Sequence, residues 1–280
     1  MTDLIGIATW NFKTGTLAER IERFAAMGYN AMSLNMRDAR ALALGDTPDV
    51  EAAIVNRKLP ITIHGGLAAK GEPIPVDDVT RDINLFLDWH SRTGLLVSIN
   101  FDAPKMQNAE GVWEIQTEAM IAVLARMLEL TADAGVTIGI EDWPRTPKDL
   151  KLVDDLRKHP HYGMLIDLGH LNMRISKTDD PDRSFSIDAA RQYLESMQLP
   201  VNELHIHNNN GHKDLHAPPT VGTCDMPALA SLLFSMGKPK SRGSRCVSTI
   251  ELVPAWCGLT EEEGFSAASD ALGFWRGAGR

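Results

Sequence analysis

Eight short apolar runs recur along the chain: LIGIATW at 4–10, YNAMSLNM at 29–36, PITIHGG at 60–66, LLVSINFDA at 95–103, VTIGIED at 136–142, YGMLIDLGH at 162–170, VNELHIHN at 201–208 and CVSTIELV at 246–253. Runs this rich in β-branched and apolar residues suit strands covered on both faces. Between them the apolar period changes to that of a helix. TLAERIERFAAMG opens with a capping box, Thr16 with Glu19, carries a stripe of Leu17, Ile21 and Phe24, and stops at Gly28. WEIQTEAMIAVLARMLELTADAG, 113–135, predicts a helix with Met120, Leu124, Met127 and Leu128 on one face and its end at Gly135, and the last helix opens with a second box, Thr260 with Glu263. Those methionines read as core filler. Strand and helix alternating eight times predict a parallel sheet, and eight units close into a barrel without exposed edges. The expected fold is therefore α/β: a single (β/α)₈ TIM barrel of eight parallel strands spanning 1–280, with a doubly wound open sheet as the alternative.

The length of 280 residues is somewhat above the roughly 250 of one such barrel, which favours one domain over two. With 44% hydrophobic and 23% charged residues the composition is that of a globular protein, not of a disordered or fibrous chain. The N-terminal residues lack a basic segment followed by an apolar core, and no membrane-length apolar stretch follows, so a cytoplasmic location without a membrane partner is expected. Cys224, Cys246 and Cys257 are odd in number and lack CxxC spacing, which argues against a disulfide framework and a thiolate zinc site. A net charge of −9, with KPKSRGSR at 238–245 as the densest basic run, argues against a nucleic-acid partner; that run is expected to form a solvated loop before the last strand. Nucleotide chemistry lacks its phosphate-binding glycine loops.

Candidate chemistry gathers at the ends of the later runs. Glu141, Asp167, His207 and Glu251 each come at or near the end of an apolar strand, the end at which barrels carry their active sites. Such groups are costly to bury unpaired, and a shared divalent cation is the simplest partner for all four. Glu141 and Glu251 are also the candidate acid/base pair, and Trp143 lies close to the first of them. His170, three residues beyond Asp167, is a candidate for metal or substrate. His205 and His207 face the same side of one strand. His207, nearer its C-terminal end, is the expected ligand and His205 the expected core histidine. His64, before two glycines, is a candidate substrate contact, while Trp10, Asn35 and Asn100 could line a sugar-sized pocket. Asp214 and His216 sit two apart in a loop long enough to cover the mouth. His90, His159, His161 and His212 read as solvent-facing.

Taken together these residues resemble the xylose isomerase-like barrel superfamily, the sugar isomerase/epimerase group that also contains the endonuclease IV type of apurinic-site nuclease. The resemblance implies a metal-binding Glu at Glu141, a D-x-x-H at Asp167 and His170, a strand-seven His at His207 and a final Glu at Glu251. It matches the loop pattern D-x-H, G-x-x-D to Asp214, His216, Gly222 and Asp225, with Thr220 where many members have glycine. It also implies that Asp214 and His216 could hold a second metal. The nuclease branch needs histidines at the third and fourth strand ends; His64 fits one and Asn100 replaces the other.

The implied activity is that of a metal-dependent sugar isomerase or epimerase of carbohydrate metabolism. It acts by proton abstraction beside a carbonyl, through an enediolate, with Glu141 and Glu251 taking and returning the proton. The substrate is expected to be a small carbohydrate, bound by His64, His170, Trp10, Trp143, Asn100 and His216. Oxygen and nitrogen ligands without thiolate suit one divalent ion, Mn²⁺, Mg²⁺, Co²⁺ or Zn²⁺. Alternatives are a related dehydratase of a keto-polyol and an endonuclease IV-like apurinic-site nuclease. A homodimer is an expectation from the family, and the lack of a basic cluster at a strand end favours a neutral substrate.

Overall fold

The computed structural model describes residues 4–176, 185–197, 200–238 and 246–278. All eight apolar runs become strands: β1 (Leu4–Ile7), β2 (Met32–Asn35), β3 (Ile61–Gly66), β4 (Leu96–Asp102), β7 (Thr137–Glu141), β8 (Tyr162–Asp167), β9 (Val201–Ile206) and β10 (Val247–Ile250). They pair in parallel in the order β1-β10-β9-β8-β7-β4-β3-β2. A parallel bridge from Ala8 to Ser33, together with Asn30 N–H donating to Ile5 O at 3.2 Å, joins the two outer strands and brings the sheet round into a single (β/α)₈ barrel. The basic run is described only at Lys238; residues 239–245 lie outside the described residues.

The end signals act as the sequence predicts. Thr16 and Glu19 form a reciprocal capping box on helix Leu17–Met27, and Gly28 ends it in the left-handed conformation, φ 105°. Glu263 and Thr260 make the same exchange at the last helix, Glu261–Ala278. That helix closes the ring against the first one. Phe24 packs edge-on to Phe12 at 5.0 Å and tilted to Phe265 at 5.3 Å, and Tyr29 Oη donates to Ala268 O at 2.7 Å.

One predicted boundary differs. The helix expected from Trp113 begins at Thr117, with Met120, Val123, Leu124, Met127 and Leu128 buried. Trp113–Ile115 is instead strand β6, antiparallel to β5 (Lys105–Gln107). Asn108 and Gly111 cause the change: Asn108 N–H bonds to Val112 O, and Gly111 turns the chain at φ 77°, so the residues before Thr117 pair as a hairpin above β4.

The barrel interior departs from the usual filling of branched apolar side chains. The carboxylate of Glu203, wholly buried, sits at its centre. It accepts from Thr249 Oγ1 at 2.5 Å, Thr62 Oγ1 at 2.9 Å and Asn100 Nδ2 at 2.7 Å. Burial opposes this charge, yet His205 and the hydroxyl donors hold the Glu203 carboxyl below its ordinary pKa. Most apolar side chains of the strands face outward to the helices, while Leu165 and Val247 join Glu203 inside the barrel.

Candidate metal centre

Barrel register decides which side chains meet at the mouth. Asp167 on β8 pairs with His205 on β9, and His205 pairs with Thr249 on β10. Glu251, two residues past Thr249, therefore stands just above His205. The His205 ring is wholly buried, with Nδ1 lying 2.9 Å from Glu251 Oε2, 3.7 Å from Glu141 Oε1 and 3.9 Å from Asp167 Oδ2. Below it, Nε2 lies 3.7 Å from Glu203 Oε1. None of these contacts is aligned as a hydrogen bond, and both ring nitrogens lack a partner.

Both histidines of β9 therefore reach the carboxylates at the mouth, at different heights. His205 is no satisfied core residue; it joins Glu141, Asp167 and Glu251. His207 Nε2 reaches Asp167 Oδ2 at 2.9 Å and otherwise groups with Asp214 and His216. Its ring stacks on His216, 4.0 Å between centroids.

Asp167 is held by its surroundings. Its Oδ1 accepts the His170 backbone N–H at 2.7 Å, which caps helix Leu168–Ser176, and its own N–H donates to Asp142 Oδ1 at 3.2 Å. Asp142, with φ 51°, also places Oδ2 3.1 Å from His170 Nδ1. His170 Nε2 and His216 Nε2 lie 3.2 and 3.0 Å from the same oxygen of Asp214. The covering loop is fixed by Asn208, whose amide donates to Pro219 O and Cys224 O while its oxygen accepts from Asn209 and Cys224 N–H groups.

Gly169 is required by close approach: a Cβ there would stand 1.9 Å from His207 Cε1. Gly169→Ala is expected to displace the His207 ring and to cost about 1–3 kcal/mol through overpacking. A fall in melting temperature together with a shifted His207 imidazole resonance checks this, and an unmoved resonance refutes it.

Other expected contacts are distributed differently. Asn35 caps helix Met36–Leu44, accepting from Asp38 N–H at 2.8 Å. Asn100 is committed downward to Glu203, and the residue of β4 that reaches the mouth is Asp102, with Oδ1 3.4 Å from His64 Nε2. Trp143 is buried in the apolar core. Trp10 stacks on His64 at 6.1 Å, and the His64 ring meets that of His205 edge-on at 4.8 Å. His212 is exposed, whereas His90, His159 and His161 are partly buried away from the mouth.

The electrostatics show a cluster that draws positive charge. Burial would favour neutral imidazoles, but Asp102 lifts His64 to about 9, and Asp214 with Glu251 lift His216 to about 9. His170 is raised, first by Asp167, and His205 is raised well above its ordinary value, against burial, by Glu251 and its neighbours. Glu141 is pushed up to about 7, first by burial; Glu251, against burial, is held at about 2 by His205. A single imidazole proton can serve one carboxylate at a time. Glu141, Asp167 and Glu251 surround His205 Nδ1, and a divalent cation with three oxygen ligands and one nitrogen would serve all four, so the residues present fit such an ion. Among the described residues four sets bring ligand atoms within 4.8 Å of one another: Asp167, His205 and Glu251; Glu141, Asp167 and His170; His64, Glu141 and His205; and His207, Asp214 and His216.

Comparison with known proteins places the fold. Residues 21–239 match the family model described as xylose isomerase-like TIM barrel, and the chain belongs to that family. Among solved structures it is similar to D-psicose 3-epimerase from Clostridium cellulolyticum H10 with D-tagatose, at 14% identity and TM-score 0.66, covering 98% of this chain and 99% of that one. It is also similar to 3-keto-D-glucoside 4-epimerase from E. coli, at 15% identity and TM-score 0.65, covering 98% and 99%. D-allulose 3-epimerase from Methylomonas sp. in complex with D-allulose matches at 15% identity and TM-score 0.66, covering 99% and 97%. A sequence search of curated proteins finds no match. Among the described residues no helix is long and apolar enough to cross a membrane.

Proposed function

We propose that the chain is a divalent-metal-dependent carbohydrate epimerase or isomerase that moves a proton on a carbon beside a carbonyl. The observation that carries this reading is the convergence of Glu141, Asp167 and Glu251 on the unpartnered Nδ1 of His205. These four residues would hold the ion. When bound, it supplies Lewis-acid stabilisation of the negative charge that develops on the carbonyl oxygen. The rest of the work falls to the chain's own side chains.

Asp167 is poorly suited as a base, because its Oδ1 caps a helix and its Oδ2 faces His207. Glu141 and Glu251 arrive from β7 and the end of β10, and their carboxylates accept no backbone N–H among the described residues. They are the pair suited to take the proton and return it. Return to the opposite face of the same carbon inverts it; return to the neighbouring carbon converts aldose and ketose. His64, His170 and His216 stand around the pair as donors for hydroxyl oxygens, with Trp10 beside His64 as an apolar face. Beneath His205, the Glu203 carboxylate lies 3.7 Å from Nε2, on the side away from the three carboxylates that face Nδ1.

The named activities of the similar structures, epimerases of D-psicose, D-allulose and a 3-keto-glucoside, support a ketose or keto-sugar as substrate class. An apurinic-site nuclease is the second reading, supported by the adjoining group of His207, Asp214 and His216, and opposed by the net charge of −9.

Elemental analysis of the protein, alongside NMR of ketoses and aldoses incubated with it in D₂O and a divalent metal, tests the proposal. About one metal per chain with deuterium entering beside a carbonyl supports it. About three zinc ions, no exchange and cleavage of an abasic duplex would move the assignment to the nuclease. No metal and no exchange would remove it.

A further inference from the structure

A cavity of about 470 Å³ opens beside the mouth, lined by Gly66, Ala68 and Lys70 after β3, by Asp102, Ala103, Pro104 and Lys105 after β4, and by Trp113 of the hairpin. Its inner wall belongs to the site already described. Asp102 faces the cavity and, with Oδ1 3.4 Å from His64 Nε2, also His64, whose charge holds the Asp102 carboxyl below the ordinary range. Its outer wall carries two ammonium groups. Gly71 N–H donates to Lys105 O at 3.1 Å and Gln116 Nε2 to Glu72 O at 2.8 Å, so the loop bearing Lys70 is stitched to the hairpin bearing Lys105 and Trp113.

These two lysines are not neutralised in the way that several cations of the molecule are. Arg23, Arg40, Arg57, Arg92 and Lys158 each lie against a carboxylate. Neither Lys70 nor Lys105 forms an ion pair among the described residues. Lys70 Nζ is held 4.4 Å above the Trp113 ring, a contact that positions the ammonium without neutralising it. In a protein of net charge −9, two uncompensated ammonium groups on one wall of a cavity form a local positive field. The cavity is thus polarised, with a hydroxyl-accepting carboxylate inside and cations outside.

We propose that this cavity binds an anionic group, carboxylate or phosphate, at the end of the substrate remote from the reacting carbonyl. The inference rests on the proposed epimerase reading and deepens it: the preferred substrate is an acidic or phosphorylated sugar, not the neutral one favoured by sequence. Asp102 accepts a hydroxyl of the sugar chain, and Lys70 and Lys105 close on the charged end.

The test is calorimetric titration of the metal-loaded protein with D-fructose, D-fructose 6-phosphate, D-glucose, D-glucuronate and inorganic phosphate. The anionic member of at least one pair is expected to bind about tenfold or more tightly, the strength of a charge-assisted hydrogen bond. Added salt should reduce the difference. Tight binding of the phosphate ester alone assigns phosphate, and of the uronate alone assigns carboxylate. Lys70→Ala with Lys105→Ala, both at exposed positions, should remove the preference. Lys158→Ala, at the opposite end of the barrel, should keep it. Equal affinities within both pairs, or a preference that survives the double lysine variant, would overturn the proposal. Anion binding that depends on the two lysines, without deuterium exchange into any carbohydrate, would keep the cavity assignment and remove the epimerase reading.

Discussion

Glutamine in place of Glu251 or of Glu141 is expected to leave the barrel folded and to lower turnover by about a thousandfold, the range in which positioned acid/base groups act. Glutamine matches glutamate in shape; at Glu141, whose charge burial and Asp167 disfavour, the change relieves repulsion, and at Glu251 it removes one attraction to His205 without changing the packing. Folding is therefore expected to be unharmed. The two variants should differ in kind. The carboxylate that removes the proton is needed for any exchange, so its loss silences both product formation and deuterium entry. Loss of the carboxylate that returns the proton should leave deuterium entering the substrate with little product. The double variant should be no worse than the more damaged single one, because the two groups act as a unit. NMR of the substrate in D₂O reads both quantities at once. A double variant that still turns over would sink the assignment.

The second large effect separates His205 from His207. His205→Asn is expected to weaken metal binding by more than about 100-fold, since loss of even an outer hydrogen-bonding partner of a ligand costs about 10–100-fold. His207→Asn should leave the first metal nearly as tight, because its ring lies with Asp214 and His216 and meets the quartet only at Asp167 Oδ2. Titration with Co²⁺, followed by its visible absorption, measures both. Thermal unfolding gives an independent reading: metal at 100 times its dissociation constant stabilises a protein by about 2.7 kcal/mol, a gain His205→Asn should lose at the same concentration. A His207 variant that loses the metal while the His205 variant keeps it would return the ligand role to His207.

Much of the fold is legible before any coordinates. The eight apolar runs, the capping boxes of Thr16 and Thr260 and the stop at Gly28 are local signals, and the chain obeys them locally. The helix predicted from Trp113 fails for an equally local reason: Asn108 and Gly111 make a turn that lets Trp113–Ile115 pair backward, and the apolar count of the following helix masks it. At the site, Glu141, Asp167 and Glu251 are legible because a carboxylate ending an apolar strand is rare and costly. Asp102 carries the same signal, as the last inward polar residue of LLVSINFDA, but Asn100 two residues earlier carries it too, and along one strand the two are equivalent.

What sequence by itself determined is the number of units, their alternation and the end of the barrel at which acidic and imidazole groups collect, because these depend on periodicity and burial cost along one strand at a time. What only the tertiary structure decided is height within the barrel. His205 and His207, like Asn100 and Asp102, share a face of their strand, and a period of two cannot rank them. In a closed barrel the strands tilt and their register is staggered, so the level of a residue depends on its neighbours across the sheet. The pairing of Asp167 with His205, and of His205 with Thr249 below Glu251, sets His205 among the three carboxylates and leaves His207 above them with Asp214 and His216.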